Sequence, residues 1–121
     1  MMTTAMRNSQ AQHTDFGFLQ GVIDSNPKFM PSNVDMMLER KGKFFIGEWK
    51  REGEQISMGQ KILLKALASK PDFVVYVIEG HSDDTGTEVK AIRRLNGDTL
   101  SASGYGEDAL KTLIQMWYNS L

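Results

Sequence analysis

An aspartate, and then a glutamate and a lysine two positions apart, lie inside the apolar segments of "NVDMMLERKGKFFIGEWKR", Asn33 to Arg51. Two runs of strand-forming residues flank the turn formers Lys41 and Gly42, so the segment predicts a β-hairpin with strands over 34–39 and 44–50. A two- or four-residue loop centred between Lys41 and Gly42 sets Asp35 across from Glu48, Met37 from Ile46 and Glu39 from Phe44. Strand alternation then gathers Asp35, Glu48 and Lys50 on one face and turns Trp49 to the other, as a core residue. Opposed side chains have Cβ atoms about 5 Å apart, and two carboxylates at that distance repel unless a cation stands between them. Mg²⁺ or Mn²⁺ meets that need, because such ions prefer oxygen ligands and accept a site with few protein carboxylates. Zinc does not fit, since the chain has no cysteine and neither His13 nor His81 lies near these residues in sequence. A lysine on the same face can hold or deprotonate an attacking water, or stabilise a pentacovalent transition state. The competing reading is a structural ion-pair network. It leaves charge uncompensated, because two acids share one base.

The residues around this hairpin have further significance as a set. "PSNVD" (Pro31 to Asp35), "GEWK" (Gly47 to Lys50) and "SMGQKILLKAL" (Ser57 to Leu67) form an aspartate strand, a Glu-x-Lys strand and a helix with an early glutamine. In this the chain resembles the PD-(D/E)XK nuclease superfamily, over about residues 15–80. The resemblance implies a restriction endonuclease-like αβββαβ core and metal-dependent phosphodiester hydrolysis. It implies Asp35 and Glu48 as Mg²⁺ or Mn²⁺ ligands, the Trp49 carbonyl as a third, and Lys50 as catalytic base or transition-state contact. Gln60 is the matching helix glutamine. Family members often have a strand before the aspartate strand and an acid on the first helix. Here only "KFM" (Lys28 to Met30) and Asp15 or Asp24 stand in those places, and a site lacking both is expected to hold one metal.

The elements that must position these residues follow from periodicity. Phe16, Leu19, Gln20 and Ile23 predict a helix over 15–24, capped by Thr14 or Asp15. Ser57 and Gln60 make an S-x-x-Q capping box ahead of an apolar stripe of Leu63, Leu64 and Leu67, with Pro71 beyond the end. Gln60 therefore has two candidate roles, as cap and as site residue. "FVVYVIEG" reads as a strand buried on both faces, "HSDDTGTE" as an acidic loop, and "VKAIRRL" as an edge strand. "NGDTLSASGYG" reads as a loop, with Tyr105 anchoring the helix that follows or stacking on a base. A closing helix over 107–118 carries Leu110, Leu113, Ile114 and Trp117 on one face. The expectation is a single-domain α/β sandwich, a central mixed sheet flanked by helices, over 15–121 after a flexible polar lead-in of 1–14.

Length and composition bound this reading. Hydrophobic residues at 40% and charged residues at 24% describe an ordinary globular body of one domain. No apolar run approaches the roughly 20 residues that a membrane span needs, and no signal-like segment opens the chain, so a cytoplasmic protein is expected. The net charge of −1 argues against binding nucleic acid through the overall field. Its distribution is uneven: Lys28 to Lys70 carries +4 and the remainder −5. That suits one face meeting a polyanion, although short windows often show such an excess. Arg40, Lys41 and Lys43 read as a solvated hairpin tip able to touch phosphates, and Lys61 and Lys65 share a helix face. The function expected is a divalent-metal-dependent nuclease acting on DNA, branched or single-stranded, by structure-selective or partner-directed cutting. A homodimer through Leu110, Leu113 and Trp117 would add binding surface if the sheet left that face uncovered. The alternatives are a catalytically inactive nuclease fold that binds DNA or protein, and an adaptor whose hairpin charges are structural.

Overall fold

A computed structural model describes residues 15–121, so the lead-in, His13 and Thr14 lie outside the described residues. The chain divides into two compact units, one ending at Pro31 and one running from Ser32 to Leu121. In the first, the helix expected over 15–24 does not form, and among the described residues a 3-10 turn at Gly17–Leu19 stands in its place. The reason lies in the backbone: Gly21 N donates to the Pro27 carbonyl at 2.9 Å, closing a loop instead of extending a helix.

The second unit is an α/β fold. Its elements are β1 (Met36–Arg40), β2 (Lys43–Arg51), α1 (Met58–Ala68), β3 (Phe73–Asp83), β4 (Gly86–Asn96), β5 (Thr99–Tyr105) and α2 (Glu107–Asn119). The sheet order is β1-β2-β3-β4-β5, with β2 and β3 parallel and the other neighbours antiparallel. The parallel pair requires a crossover, and α1 supplies it. Among the described residues no helix is long and apolar enough to cross a membrane.

The hairpin register follows the turn. Lys41 and Gly42 both have positive φ, 54° and 77°, as a two-residue turn matching the strand twist requires, and Met37 pairs with Ile46 and Glu39 with Phe44. Glu39 belongs to the turn end, where its carboxylate accepts from Gly42 N at 2.9 Å. The tip is less free than the sequence suggested. Arg40 stacks over the Tyr118 ring and donates to its hydroxyl at 2.7 Å, and Lys43 pairs with Asp72.

Alternation along β2 and β3 builds two cores. Phe45, Tyr76, Ile78 and Ile92 face α2, where Leu110, Leu113, Ile114 and Trp117 pack on them. The sheet covers this helix face in part, since Leu110, Leu113, Ile114 and Trp117 remain half-buried. Ile46, Val75, Val77 and Leu95 face α1 and its buried Leu64. β3 is buried on both faces over Val75 to Ile78, as its unbroken apolar run predicted. Three expectations beyond β3 are corrected. The acidic "loop" forms the paired arms of the β3–β4 hairpin from His81↔Glu88 to Asp83↔Gly86. The "loop" after Asn96 contains β5, and β4 is therefore an interior strand.

One close approach in this frame bears on the site. The β3–β4 register shifts at Glu79/Gly80, and a Cβ on Gly80 would meet the Glu88 carbonyl oxygen at 2.1 Å and the Trp49 ring at 2.8 Å. Only glycine leaves room for the Trp49 ring there, and Trp49 stands between Glu48 and Lys50.

Candidate active site

Glu48 and Lys50 are the two buried charged side chains of the second unit, 2% and 6% exposed. They point to the α1 face with Ile46, at the end of β2 where apolar cover gives way to the first turn of α1. The helix starts as the sequence predicts, with Ser57 Oγ accepting from Gln60 N at 3.2 Å. The reciprocal half of the capping box is absent. The Gln60 side chain turns into the sheet, where Nε2 donates to Glu48 Oε2 at 2.6 Å and Oε1 accepts from Lys50 Nζ at 2.6 Å. A carboxamide is the neutral group that can accept from an ammonium and donate to a carboxylate at once. Lys50 Nζ also lies 3.3 Å from Glu48 Oε2.

Asp35 completes the site differently from expectation. It lies at a bend just before β1, which starts at Met36, so it is not a strand residue. The register still brings it to Glu48, because Met36 pairs with Gly47. Asp35 Oδ2 accepts from Trp49 N at 2.7 Å. Since N–H and C=O of one strand residue leave by the same edge, the Trp49 carbonyl also faces the edge that β1 leaves open beyond Gly47. The indole of Trp49 packs in the α2-side core, as predicted.

Burial, first, and the negative charge of Asp35, second, push the Glu48 carboxyl above its ordinary range, while hydrogen bonding and charge from Lys50 act the other way. Both protein donors converge on Oε2, and Oε1 takes no hydrogen bond from the described residues. The oxygens left for a cation are those of Asp35, Glu48 Oε1 and the Trp49 carbonyl, an all-oxygen set suited to Mg²⁺ or Mn²⁺. Among the described residues no three His, Asp or Glu side chains gather as a metal-holding group, so the carboxylate pair is the whole acidic contribution.

The structure brings Asp35, Glu48, Trp49, Lys50 and Gln60 together. Asp15 and Asp24 belong to the first unit. Two residues on the site face escaped the sequence reading. Glu79 pairs with Lys50 across the parallel ladder, with its Oε2 accepting from Gly53 N at 3.3 Å, and Arg93 pairs with Val77, which itself pairs with Glu48. Neither could be counted from a turn, because a crossover through a helix does not fix parallel register. His81 pairs with Asp83 on the β3–β4 hairpin, and Tyr105 ends β5 with its ring exposed. No family model, curated protein or solved structure matches this chain.

Proposed function

We propose that this chain is a divalent-metal-dependent nuclease that hydrolyses DNA phosphodiester bonds and carries the restriction endonuclease-like αβββαβ core. The observation that carries the reading is the meeting of the Asp35 and Glu48 carboxylates at an open sheet edge beside a buried lysine that a glutamine holds in place. The order β1, β2, α1, β3 supports the ββαβ part of that core, while neither an α-helix nor a further strand precedes β1 among the described residues.

Asp35, Glu48 Oε1 and the Trp49 carbonyl would hold Mg²⁺ or Mn²⁺. A bound ion supplies Lewis-acid polarisation of a phosphoryl oxygen and neutralises charge as it develops. Lys50 has three N–H donors, of which one is engaged by Gln60 and one lies toward Glu48. The third is free to orient a water or contact a phosphoryl oxygen. As the water oxygen bonds to phosphorus and gives its proton to solvent, the P–O ester bond breaks and the departing alkoxide takes a proton from solvent. Lys50 is placed to stabilise the added negative charge of that pentacovalent arrangement. Gln60 is a positioning residue, because it acts through Lys50 and Glu48.

The test is incubation with plasmid, single-stranded and branched DNA. Cleavage that needs Mg²⁺ or Mn²⁺, stops in chelator and stops in Lys50→Ala supports the proposal; metal-independent cleavage, or none on any substrate, overturns it. One observation favours a second reading, a nuclease fold that binds DNA or protein without turnover. Lys50 and Gln60 already satisfy Glu48 Oε2 without a cation. Calorimetric titration with Mn²⁺ separates the two, since a module without a metal site shows no heat that Asp35→Asn and Glu48→Gln remove.

A further inference from the structure

A groove runs beside α1 toward β4 and β5, on the sheet face that carries Glu48 and Lys50. Its deeper part, about 390 Å³, has an aliphatic floor of Leu64, Val77, Leu95 and Leu100 with Lys61 and Lys65 at the rim. Its outer part continues past Ile56 and Leu100 to Arg93. Ile56, Lys61 and Leu100 line both parts, which makes them one groove.

The groove joins the candidate active site through the register. Glu48, Val77 and Arg93 form a row across β2, β3 and β4. Strands lie about 4.8 Å apart, so the Arg93 backbone is roughly 10 Å from that of Glu48. On the helix side Lys61 follows Gln60 directly.

The charges on the groove are unequal in their commitments. Lys65 is paired with Asp98, and Glu54 accepts from Arg51 N at 2.9 Å. Lys61 and Arg93 have no ion-pair partner among the described residues. An aliphatic floor between Arg93 and Lys61, whose charge also reaches Asp98 on the groove wall, suits a ligand with an apolar body and anionic ends, and the volume is that of a small-ligand site. An unpaired nucleotide has this form, with a base whose faces pack on apolar side chains and phosphates on either side. A base paired within a duplex cannot leave its stack for the floor without loss of pairing energy.

We infer that this groove receives one unpaired nucleotide of a DNA strand whose scissile phosphate lies at Asp35 and Glu48, which makes single-stranded DNA, or DNA unpaired beside the cut, the substrate class. The inference rests on the nuclease reading above. Lys61 and Arg93 hold the flanking phosphates, and Leu64, Val77, Leu95 and Leu100 hold the base.

Fluorescence anisotropy in chelator, with a labelled single-stranded oligonucleotide and a blunt duplex of the same sequence, tests it. Single strands bind at least about tenfold more tightly than duplex, and Lys61→Ala with Arg93→Ala removes that advantage. The double variant also flattens the salt dependence of log K by about 1.4, from two lost single-strand phosphate contacts. Lys61→Glu, at an exposed position, gives the same direction if the double variant folds poorly. Equal affinity for duplex, unchanged single-strand binding in the charge variants, or no single-strand binding overturns the groove. Metal-dependent cleavage that survives these changes leaves the nuclease reading standing without it, whereas groove-dependent binding with no cleavage in Mg²⁺ or Mn²⁺ overturns the nuclease reading alone.

Discussion

Glu48 and Lys50, two positions apart on β2, both reach the Gln60 carboxamide, the acid at Nε2 and the base at Oε1, each at 2.6 Å. This bridge fixes the ammonium beside Oε2 and leaves Oε1 without a hydrogen bond from the described residues. It also explains how an acid and a base remain buried where two strands would otherwise be apolar, since a buried pair is tolerated only when its remaining donors and acceptors are met.

Gln60→Ala removes both bonds at once. It is expected to cost about 1–3 kcal/mol in urea unfolding, from the orphaned buried groups, and to lower metal affinity or cleavage about 10–100-fold. Gln60→Glu places a third acid at the site and is expected to lower Lys50-dependent cleavage while tightening Mn²⁺ binding; calorimetry and single-turnover assays read the two effects separately.

Asp35→Asn keeps an acceptor for Trp49 N but removes the charge. The fold is expected to persist and the calorimetric Mn²⁺ signal to fall to background. Asp35→Ala loses the bond as well, and its melting temperature should drop below that of Asp35→Asn.

The Glu48 carboxyl, raised above its ordinary 4.5, binds more protons in the folded chain than in the unfolded one over the interval above that value. The stability it contributes is complete below 4.5 and is lost as pH rises through the raised value. Urea titrations without metal should therefore show a fall in stability from this group as pH rises above 4.5, flattened in Glu48→Gln. A cation replaces the proton, so the rise in melting temperature caused by Mn²⁺ should be larger at about pH 8 than at about pH 5. A rise equal at both pH values, or present in Glu48→Gln, contradicts the assignment of Glu48 as ligand.

Gly80→Ala forces a Cβ into the Glu88 carbonyl and the Trp49 ring. Overpacking against backbone should cost about 3 kcal/mol in chemical denaturation and displace Trp49, which a shift in tryptophan fluorescence reports.

Much of the site was legible because it is local. Asp35 to Gln60 spans one hairpin and one helix start, and the Lys41-Gly42 turn sets the hairpin register by itself. What the sequence could not give came from pairing across longer separations. Glu79 and Arg93 join the site face through parallel and antiparallel neighbours whose register no nearby turn to Glu48 determines. The two serines and the glycine of Thr99–Tyr105 are poor strand formers, yet the two-residue turn at Gly97-Asp98 folds them onto β4, where pairing outweighs propensity. The helix expected over 15–24 failed for a related reason. Of its stripe, Phe16, Gln20 and Ile23 stay exposed and Leu19 is half-buried, so little burial supports its spacing.

The early end of β1 at Met36 leaves the Glu48 to Arg51 stretch of β2 without a neighbour on that side. Such an edge is a template on which another chain's strand can add. Asp35 closes it, since its carboxylate occupies the Trp49 N–H and presents negative charge to any backbone carbonyl that approaches. The residue proposed to hold the metal is thus also a guard against aggregation, and its loss would open a seam in the sheet as well as a vacancy in the chemistry.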